Sequence, residues 1–435
     1  MEEVRHSLAE KFDAIVVGAG PAGVTAAYVI AKSKINVAVI ERGEYPGSKN
    51  VIGGVLYIKT MDDVSPGFWS DAPLERKIVQ HSYCLMGKGE HAIISHVSTG
   101  HSDTASGYTI LRSKFDRWYL KKAQEAGATV ITKTNVTELL SNQGRIVGVR
   151  TDRGDLSADI VVVAEGANTM LCEKAGLVTK PRPDQMAIAV KEIVALPSNR
   201  IQERFALSEG EGTAIHYIGA LFEGLVGFGF VYTNKESLSV GFGAIISTMM
   251  RKRIKPYDLM EKFKHEPSVE PFLRDGVVKE YQAHMIPEAG YVGIPKLYSD
   301  GVLVVGDSAM LANPVTGEGA DLAVLSGRLA GEVAIQAHMS GDYTSRTLTQ
   351  YQRLLSNSFA VRDMKKQSGL LAYIEENPEI MDTYPEIINA ALGIWFRVDG
   401  STTAEKLRRI ISSSTSKRRI TRMMKDIYVF GRKLM

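Results

Sequence analysis

Three glycines near the start of the chain have the spacing of a phosphate-binding turn. Residues 18–23 read Gly-Ala-Gly-Pro-Ala-Gly and match the pattern G-x-G-x-x-G. The first glycine of this pattern permits a tight turn, the second lets the backbone approach a pyrophosphate, and the third allows a helix to pack closely on a strand. The N-terminus of that helix offers N–H groups to the phosphates. The residues expected to bind a dinucleotide are Gly18, Ala19, Gly20, Pro21, Ala22 and Gly23.

The segments around this turn predict the βαβ frame that it requires. Residues 12–17 are a short apolar run, residues 24–33 are rich in alanine, and residues 36–40 form a second apolar run. They read as strand, helix and strand. Glu41 closes the second strand, where a carboxylate accepts hydrogen bonds from ribose hydroxyls. We expect Glu41 and its neighbour Arg42 to bind the cofactor.

A second glycine-punctuated segment distinguishes a flavin from a nicotinamide cofactor. Residues 301–320 read GVLVVGDSAMLANPVTGEGA, in which a buried strand is followed by a turn and the start of a helix. Here the chain resembles the flavoproteins that share the p-hydroxybenzoate hydroxylase fold, whereas nicotinamide dehydrogenases have no such second motif. The resemblance implies FAD, with a carboxylate bonding a ribityl hydroxyl and helix N–H groups facing the flavin ring. The expected ligands are Gly306, Asp307, Gly317, Gly319 and Ala320.

The same resemblance adds positions from the middle of the chain. The middle motif of the group reads Asp-Gly after a strand, and this chain has Glu165-Gly166. The glutamate is compatible with the turn and weakens the expectation of direct NADPH use. An arginine at the start of a helix lies near the FAD phosphates in this group. The residues added to the expected FAD site are Arg112, Val136, Glu165 and Gly166.

A more specific resemblance lies in residues 49–57, which read KNVIGGVLY. The segment is similar to the one that FixC proteins and the electron-transfer-flavoprotein:quinone oxidoreductases place beside the isoalloxazine, the redox-active ring of FAD. Residues 231–243 and 395–409 resemble two further stretches of this family. The chain is therefore identified as a member of the FixC/EtfC family. The FAD ligands that this resemblance adds are Lys49, Asn50, Val51, Gly53 and Gly54.

The remaining pattern predicts a discontinuous cofactor domain. Alternating segments between residues 184 and 285 indicate an antiparallel sheet. We expect an α/β fold: a Rossmann-like FAD-binding domain of the glutathione reductase and p-hydroxybenzoate hydroxylase type, an inserted antiparallel-sheet domain and a helical C-terminal region. The expected domains are 1–183 with 286–344 for FAD, 184–285 for the substrate or quinone, and 345–435 for the helices and a basic tail.

Composition and cysteine content narrow the function classes. The chain has 435 residues, 44% apolar and 23% charged, as ordinary globular proteins have. No apolar run approaches the roughly 20 residues of a transmembrane helix, and the acidic start predicts a cytoplasmic protein without a signal peptide. Cys84 and Cys172 cannot supply the four thiolates of an iron–sulfur cluster, so we expect any cluster on another chain. No catalytic acid, base or nucleophile and no metal site is predicted, because the flavin performs the redox chemistry.

The charge is concentrated at the C-terminus. Residues 401–435 carry ten Lys or Arg and two acidic residues, a net charge of +8 in a chain whose total is +3. The cations alternate with Ile, Met, Tyr and Phe, a pattern suited to an anionic membrane surface, where each cation contributes about 1 kcal/mol. Docking to a partner protein fits equally well, and a solvated basic helix is the third interpretation. Nucleic acid is not an expected partner, because the rest of the chain is acidic.

The resemblance also implies a function and partners. A FixC-type subunit accepts electrons from an electron-transfer flavoprotein of FixA/FixB-like subunits. It delivers them, with a ferredoxin-like FixX protein, to a membrane quinone at the cytoplasmic face of the cell membrane. Some complexes of this type bifurcate electrons. Residues 220–232 are expected either to line the quinone pocket or to be a core strand.

Two alternatives stay open. A geranylgeranyl reductase shares the fold, but residues 227–230 lack the Trp and Pro of its substrate-sheet motif. A flavin-bearing assembly subunit would hold the partner proteins together without reducing quinone. An aromatic hydroxylase is the most distant enzyme alternative.

Overall fold

The computed structural model describes residues 11–48, 53–98 and 107–434, which form two compact units. Unit one is built from the described parts of 1–74, 110–185 and 285–365, and unit two from those of 75–109, 186–284 and 366–435. This division differs from the one expected from the sequence, which placed residues 75–109 in the FAD domain and gave the C-terminal helices a domain of their own. Residues 75–109 join unit two because their strands pair with its sheet.

The elements are numbered in chain order. The strands are β1 (Lys11–Val17), β2 (Val37–Ile40), β3 (Val55–Tyr57), β4 (Leu74–Met86), β5 (His91–Val97), β6 (Gly107–Ile110), β7 (Thr129–Ile131), β8 (Val136–Asn142), β9 (Arg145–Thr151), β10 (Gly154–Val163), β11 (Met186–Ala195), β12 (Glu211–Gly219), β13 (Gly227–Thr233), β14 (Ser237–Ile245), β15 (Val277–Pro287), β16 (Tyr298–Ser299) and β17 (Val302–Val304). The α-helices are α1 (Pro21–Lys32), α2 (Ile58–Asp62), α3 (Arg112–Glu125), α4 (Met170–Lys174), α5 (Ser198–Phe205), α6 (Ile246–Lys252), α7 (Pro256–Lys264), α8 (Glu270–Leu273), α9 (Ala320–Ser340), α10 (Ser345–Ser356), α11 (Phe359–Lys366), α12 (Leu370–Glu376), α13 (Ile380–Phe396), α14 (Thr403–Lys417) and α15 (Ile420–Leu434).

Unit one contains a mainly parallel sheet in the order β16-β17-β10-β1-β2-β7. The strands from β17 to β7 run parallel, and β8 and β9 extend β10 as an antiparallel hairpin. The central strands are continuous runs of Val, Ile and Ala whose side chains are almost entirely buried. A parallel sheet with both faces covered requires such runs. The expected Rossmann-like arrangement is confirmed.

Helices α1 and α9 pack closely in unit one because small residues separate them. A Cβ atom added to Gly327 of α9 would lie 2.2 Å from the carbonyl oxygen of Ala22 in α1, and one on Gly331 would lie 2.9 Å from Cβ of Val29. Both distances are shorter than a van der Waals contact, so each position accepts only glycine without a shift of the helices. This packing fixes α1 and α9 against each other.

Unit two contains a sheet in which β15, β11, β14, β13, β12, β4 and β6 are neighbours in that order, and β5 pairs with β4. The strands β11, β14, β13 and β12 pair antiparallel with one another, as the alternating sequence predicts, whereas β12 and β4 are parallel. Tyr217 and Phe242 lie on one face, where they join a core that includes Met260 and Phe263 of α7. The other face carries a different group of aromatic side chains, around His216 of β12.

The C-terminal region is helical, as expected, and in unit two an ion-pair network holds its last helix. Asp426 of α15 is 2% exposed. Its carboxylate accepts hydrogen bonds from Arg418 (3.0 Å), Tyr373 (2.6 Å) and Tyr384 (2.5 Å). The inward side of α15 is therefore anchored through charge. Among the described residues, no helix is both long enough and apolar enough to cross a membrane.

Candidate functional site

At two positions in the turn between β1 and α1, the protein's own backbone leaves room only for glycine. Gly18 has φ +102°, and a Cβ atom there would lie 2.2 Å from the carbonyl oxygen of Ala164 at the end of β10. A Cβ on Gly23 would lie 2.0 Å from the carbonyl oxygen of Gly18. The first and third glycines therefore let the turn, the helix and the strand approach each other, as the pattern predicts.

Gly20, the middle glycine, differs from the other two because there is open space where its side chain would lie. It precedes α1 with φ −75°, and a Cβ atom there would meet no protein atom within 4 Å. No side chain caps the helix, and Pro21, which has no N–H, occupies its first position. The remaining amides of the first turn are thus available to an anion. The protein's own atoms do not require a glycine at this position, whereas the close approach of a pyrophosphate to the backbone would require one.

Glu41 lies at the end of β2, beside this turn. Its carboxylate accepts hydrogen bonds from the N–H groups of Ala19 (3.0 Å) and Gly43 (2.6 Å), so it is held in place by the backbone. Each carboxylate oxygen has a further lone pair for a ribose hydroxyl. Val136 is half-buried at the start of β8, and Arg42 is exposed at the surface. A contact of Arg42 with the cofactor stays a prediction.

The second motif reaches the same turn from β17. Gly306 has φ +62°, and a Cβ atom there would lie 2.9 Å from Cβ of Ala22. The N–H of Gly306 donates to Ser326 Oγ (3.0 Å), and Ser308 Oγ donates to the carbonyl oxygen of Gly166 (3.1 Å). The structure therefore brings the first, middle and last motifs together at the N-terminus of α1.

Arg112 begins α3 and lies close to Asp307. It forms a bidentate pair with Asp116, with Nε and Nη2 each 2.8 Å from a carboxylate oxygen. Burial acts to lower the pKa of Arg112, but the Asp116 carboxylate outweighs burial and the pKa is raised. A Cβ atom on Gly53 would lie 3.4 Å from Nη1 of Arg112, and Gly54 accepts a backbone hydrogen bond from Ile110. A permanent cation thus lines the expected cofactor site.

The N-terminus of α9 is a second open helix end. Gly319 precedes the helix, a Cβ atom there would meet nothing within 4 Å, and no side chain caps the end. Gly317 has φ +72° and donates its N–H to the carbonyl oxygen of Asn313 (2.9 Å). Ala320 is the first residue of the helix. This end offers N–H groups to an electron-rich ring edge, as expected for a flavin site.

Glu165 makes its hydrogen bonds within the protein, and its contact with the cofactor stays a prediction. Its carboxylate accepts hydrogen bonds from the N–H groups of Leu171 (2.8 Å) and Cys172 (2.9 Å), in the first turn of α4. The side chain therefore caps a helix, and its neighbour Gly166 is the residue that joins the converging motifs. The predicted positions Lys49, Asn50 and Val51 lie outside the described residues.

This cap gives a first testable prediction. Glu165→Ala is expected to lower the free energy of unfolding by about 1–2 kcal/mol, because two helix amides lose their acceptor. The dissociation constant of FAD should change less than about twofold, since the carboxylate is already occupied. Denaturant unfolding and FAD titration of the apo-protein measure the two effects, and Glu165→Gln, which keeps one acceptor oxygen, is the control. A large loss of FAD affinity at unchanged stability would reverse the assignment.

The sequence patterns missed several residues of this site. Ser308 and Ser326 form hydrogen bonds that join the motifs. Ser308 directly follows Gly306 and Asp307, and only these two residues of that turn were expected to bind FAD. Asp321 in α9 accepts a hydrogen bond from Thr60 of α2 (2.9 Å), and no local pattern indicates that pair. Among the described residues there is no group of three or more metal-ligating side chains. Cys84 is buried, and burial raises its thiol pKa to about 11.

Comparison with protein families agrees with this geometry. Residues 13–179 and residues 100–332 match two families described as FAD dependent oxidoreductase. Residues 370–434 match the ETF-QO/FixC family C-terminal domain. The FAD dependent families span all the glycine motifs of unit one, and FAD is the cofactor that the open helix ends and the three converging motifs fit.

Relatives of known name extend the comparison to the whole chain. The chain is 43% identical to Protein FixC of Bradyrhizobium diazoefficiens over 97% of its own length and 99% of the relative's. It is 38% identical to Protein FixC of Azotobacter vinelandii, over 98% of this chain and 99% of that one. For Protein FixC of Escherichia coli K12 the identity is 36%, over 95% and 97%.

Solved structures share the fold at low identity. A geranylgeranyl bacteriochlorophyll reductase-like protein from Thermoplasma acidophilum superposes with a TM-score of 0.74 at 21% identity, covering 96% of this chain and 100% of that one. The myxobacterial chondrochloren halogenase CndH, described as an FAD-dependent halogenase, gives a TM-score of 0.63 at 22% identity over 82% and 83%. These likenesses establish the flavoprotein fold and carry no further statement about the reaction.

Proposed function

The chain belongs to the FixC family of FAD-dependent oxidoreductases in electron transfer, and from that membership we propose that it passes electrons from an electron-transfer flavoprotein to a membrane quinone. The observation that carries the proposal is the match to Protein FixC over 97% of the chain, together with the ETF-QO/FixC C-terminal domain at residues 370–434. When bound, FAD supplies the electron acceptor and donor. The residues that would hold it are the turn from Gly18 to Gly23, Glu41, Arg112 and Asp307.

The proposed partners are FixA/FixB-like flavoprotein subunits and a small ferredoxin-like protein. The chain has only two cysteines, and burial raises the pKa of both thiols, so neither is a ready thiolate ligand. An iron–sulfur cluster in this pathway therefore needs a second chain. This division of labour supports a multisubunit complex, with the present chain as its FAD subunit.

We place the quinone ring against one face of the unit-two sheet. His216 of β12 lies there among aromatic side chains: its ring centroid is 5.7 Å from that of Phe228 in a stacked arrangement, and 5.6 Å from that of Tyr83. Tyr232 adds a third ring at 5.7 Å. Phe228 and His216 are half-buried and Tyr83 is 53% exposed, so the face is accessible from one side. An aromatic-lined face of this kind suits a flat quinone ring.

His216 also provides a neutral polar group at this face. Burial and, to a smaller extent, the nearby His81 lower its pKa to about 4. At neutral pH the imidazole is therefore uncharged, with one nitrogen that donates a hydrogen bond and one that accepts. A quinone carbonyl requires a donor of this type and, as it is reduced, becomes a hydroxyl that needs an acceptor. Residues 220–232, expected either to line the quinone pocket or to be a core strand, include Phe228 but not His216.

A substitution at Phe228 tests this placement. Phe228→Ala is expected to raise the KM for a soluble quinone analogue about 3- to 10-fold, because one ring contact of about 0.5–1.5 kcal/mol is lost. FAD content and FAD affinity should stay unchanged. The control is Tyr257→Ala, which removes a 58% exposed ring from α7, the helix that covers the opposite face. Equal KM values in the two variants would argue against a quinone at this face.

The C-terminal helices suit a peripheral membrane contact. Trp395 (47%), Phe396 (74%) and Val398 (97%) are exposed near the end of α13. On α15 the exposed apolar side chains are those of Ile420, Met424, Ile427, Tyr428 and Leu434. Asp426 holds the inward side of α15 through its ion pair and hydrogen bonds. The apolar side chains of α15 are therefore exposed to solvent, among the cations of the tail. Amphipathic helices of this type bind to the interface of anionic bilayers. We propose association with the cytoplasmic face of the cell membrane.

Purification of the tagged chain from its native host tests the proposed complex. We expect one FAD per chain, two electron-transfer-flavoprotein subunits and a small cysteine-rich protein, identified by absorbance and mass. If FAD arrives on a lone protein that saturates a polyprenyl substrate, the geranylgeranyl reductase alternative is correct instead. Electron bifurcation requires a separate assay of ferredoxin reduction. If the complex without this subunit still reduced ferredoxin normally, this chain would not be the quinone branch of a bifurcating complex.

A further inference from the structure

A buried hydrogen bond joins two elements at the flavin end of the expected FAD site. The hydroxyl of Thr60 in α2 donates to Oδ1 of Asp321 in α9 at 2.9 Å. Both side chains are buried, with exposed fractions of 6% for Thr60 and 5% for Asp321. The two residues are 261 positions apart in the chain, and both belong to unit one. Because the contact is shielded from water, its loss would leave a buried polar group with one partner fewer.

Each partner belongs to an element that the cofactor is expected to meet. Asp321 lies in the first turn of α9, whose N-terminus is open and has no side-chain cap. Thr60 lies in α2, which follows β3 without a break. Just before β3, a Cβ atom on Gly53 would lie 3.4 Å from Nη1 of Arg112. The hydrogen bond therefore connects the N-terminus of α9 with residues 53–57, the described part of the segment expected beside the isoalloxazine.

The first turn of α9 is the part of this helix that matters to a flavin. A helix N-terminus carries a partial positive charge, which stabilises the electron density that reduction adds to the ring. This attraction weakens with distance, so it depends on where the helix end is held. The close contacts of α9 with α1 lie at Gly327 and Gly331, about two turns or more further along the helix. The bond between Thr60 and Asp321 acts at the end that faces the cofactor site.

We propose that Thr60 and Asp321 are positioning residues of the flavin site, whose hydrogen bond holds the N-terminus of α9 in place beside residues 53–57. Neither side chain needs to touch the cofactor, because each acts through the element that carries it. FAD then binds to a site that is already assembled, which avoids the free-energy cost of ordering the site on binding. The inference rests on the FAD site in unit one and is independent of the quinone proposal.

The variant Thr60→Val tests the proposal, because it removes the hydroxyl and nearly conserves the size of the side chain. Without the hydrogen bond, α2 and α9 can separate in the apo-protein, and FAD must bring them together again. We expect the dissociation constant of FAD to rise about 3- to 10-fold, measured by the quenching of flavin fluorescence. The reduction potential of the bound FAD should become more negative, because the displaced helix end stabilises the reduced flavin less. Anaerobic reduction against a dye of known potential measures this shift.

Three further variants serve as controls. Thr60→Ser keeps the hydroxyl and should restore the wild-type affinity and potential. Thr248→Val in unit two removes an equally buried hydroxyl, which donates to the carbonyl oxygen of Ile245 (2.7 Å), and it should change neither value. Asp321→Ala breaks the same hydrogen bond from the other side, and its FAD affinity should fall at least as far as that of Thr60→Val. Thermal unfolding of each apo-protein shows whether the variants fold.

A pair that served only the stability of the fold would give a different result. Thr60→Val would then lower the free energy of unfolding but keep the wild-type dissociation constant and potential of FAD. That result, or an equal loss of affinity in Thr60→Ser and Thr60→Val, would overturn the proposal. The FAD site itself is tested separately. A wild-type chain that bound no FAD would refute the site and the inference together, whereas normal FAD binding by Thr60→Val would refute only the role of the pair.

Discussion

Replacing Gly20 with alanine is expected to weaken FAD binding by about 100-fold, or about 2.8 kcal/mol, while the protein stays folded. The reason is the difference between the three glycines of the turn. A Cβ atom on Gly18 or Gly23 would collide with the backbone, whereas one on Gly20 meets no protein atom within 4 Å. The space at Gly20 is therefore available for the cofactor, and a methyl group there would exclude the pyrophosphate without disturbing the fold.

Two measurements separate these effects. The free energy of unfolding of the Gly20→Ala apo-protein should stay within about 1 kcal/mol of wild type, because its φ of −75° suits alanine. Titration with FAD gives the dissociation constant. The control is Gly243→Ala in β14 of unit two, where a Cβ atom also meets nothing within 4 Å. If Gly20→Ala bound FAD as tightly as this control, the pyrophosphate would not lie at the turn.

Arg112→Ala is expected to have the largest effect on stability. Removal of one partner from a buried ion pair leaves the other charge uncompensated and costs about 3–5 kcal/mol. Here the stranded group is the carboxylate of Asp116, which is 3% exposed. Denaturant unfolding of the apo-protein measures the loss. FAD binding should fall as well, but the single variant cannot distinguish a lost cofactor contact from a damaged fold.

The double variant Arg112→Met/Asp116→Leu makes that distinction. Replacement of a buried pair by apolar residues of similar size is often close to neutral, so most of the stability should return. FAD affinity should remain about 10- to 100-fold below wild type, because a charge-assisted hydrogen bond to phosphate contributes about 1.5–3 kcal/mol. Recovery of wild-type FAD affinity in the double variant would make Arg112 a purely structural residue.

The parts of the site that the sequence predicts well are those that depend on local backbone geometry. The turn at Gly18 and the carboxylate of Glu41 follow from spacing within one βαβ unit, since their contacts are made by neighbouring segments. The strand and turn that lead to Gly306 follow from a local pattern of the same kind, whereas their assignment to FAD comes from the resemblance to the flavoprotein group.

The parts that the sequence does not predict depend on distant segments. Glu165 caps α4 because the chain turns back on itself after β10, and the resemblance to the flavoprotein group gives no sign of that use. Residues 75–109 join unit two because β4 pairs with β12, more than a hundred residues away along the chain. Local propensity carries no information about contacts of this kind.

Quinone reduction by the complex reassembled with the Gly20→Ala subunit tests the proposed electron transfer directly. Reduced electron-transfer flavoprotein and a soluble quinone analogue are mixed under anaerobic conditions, and quinol formation is followed by absorbance. We expect the wild-type complex to form quinol. The complex with the variant should assemble with the same subunits, lack the FAD of this chain and form almost no quinol. Quinol formation at the wild-type rate without that FAD would mean that this chain is an assembly subunit and does not pass electrons to the quinone.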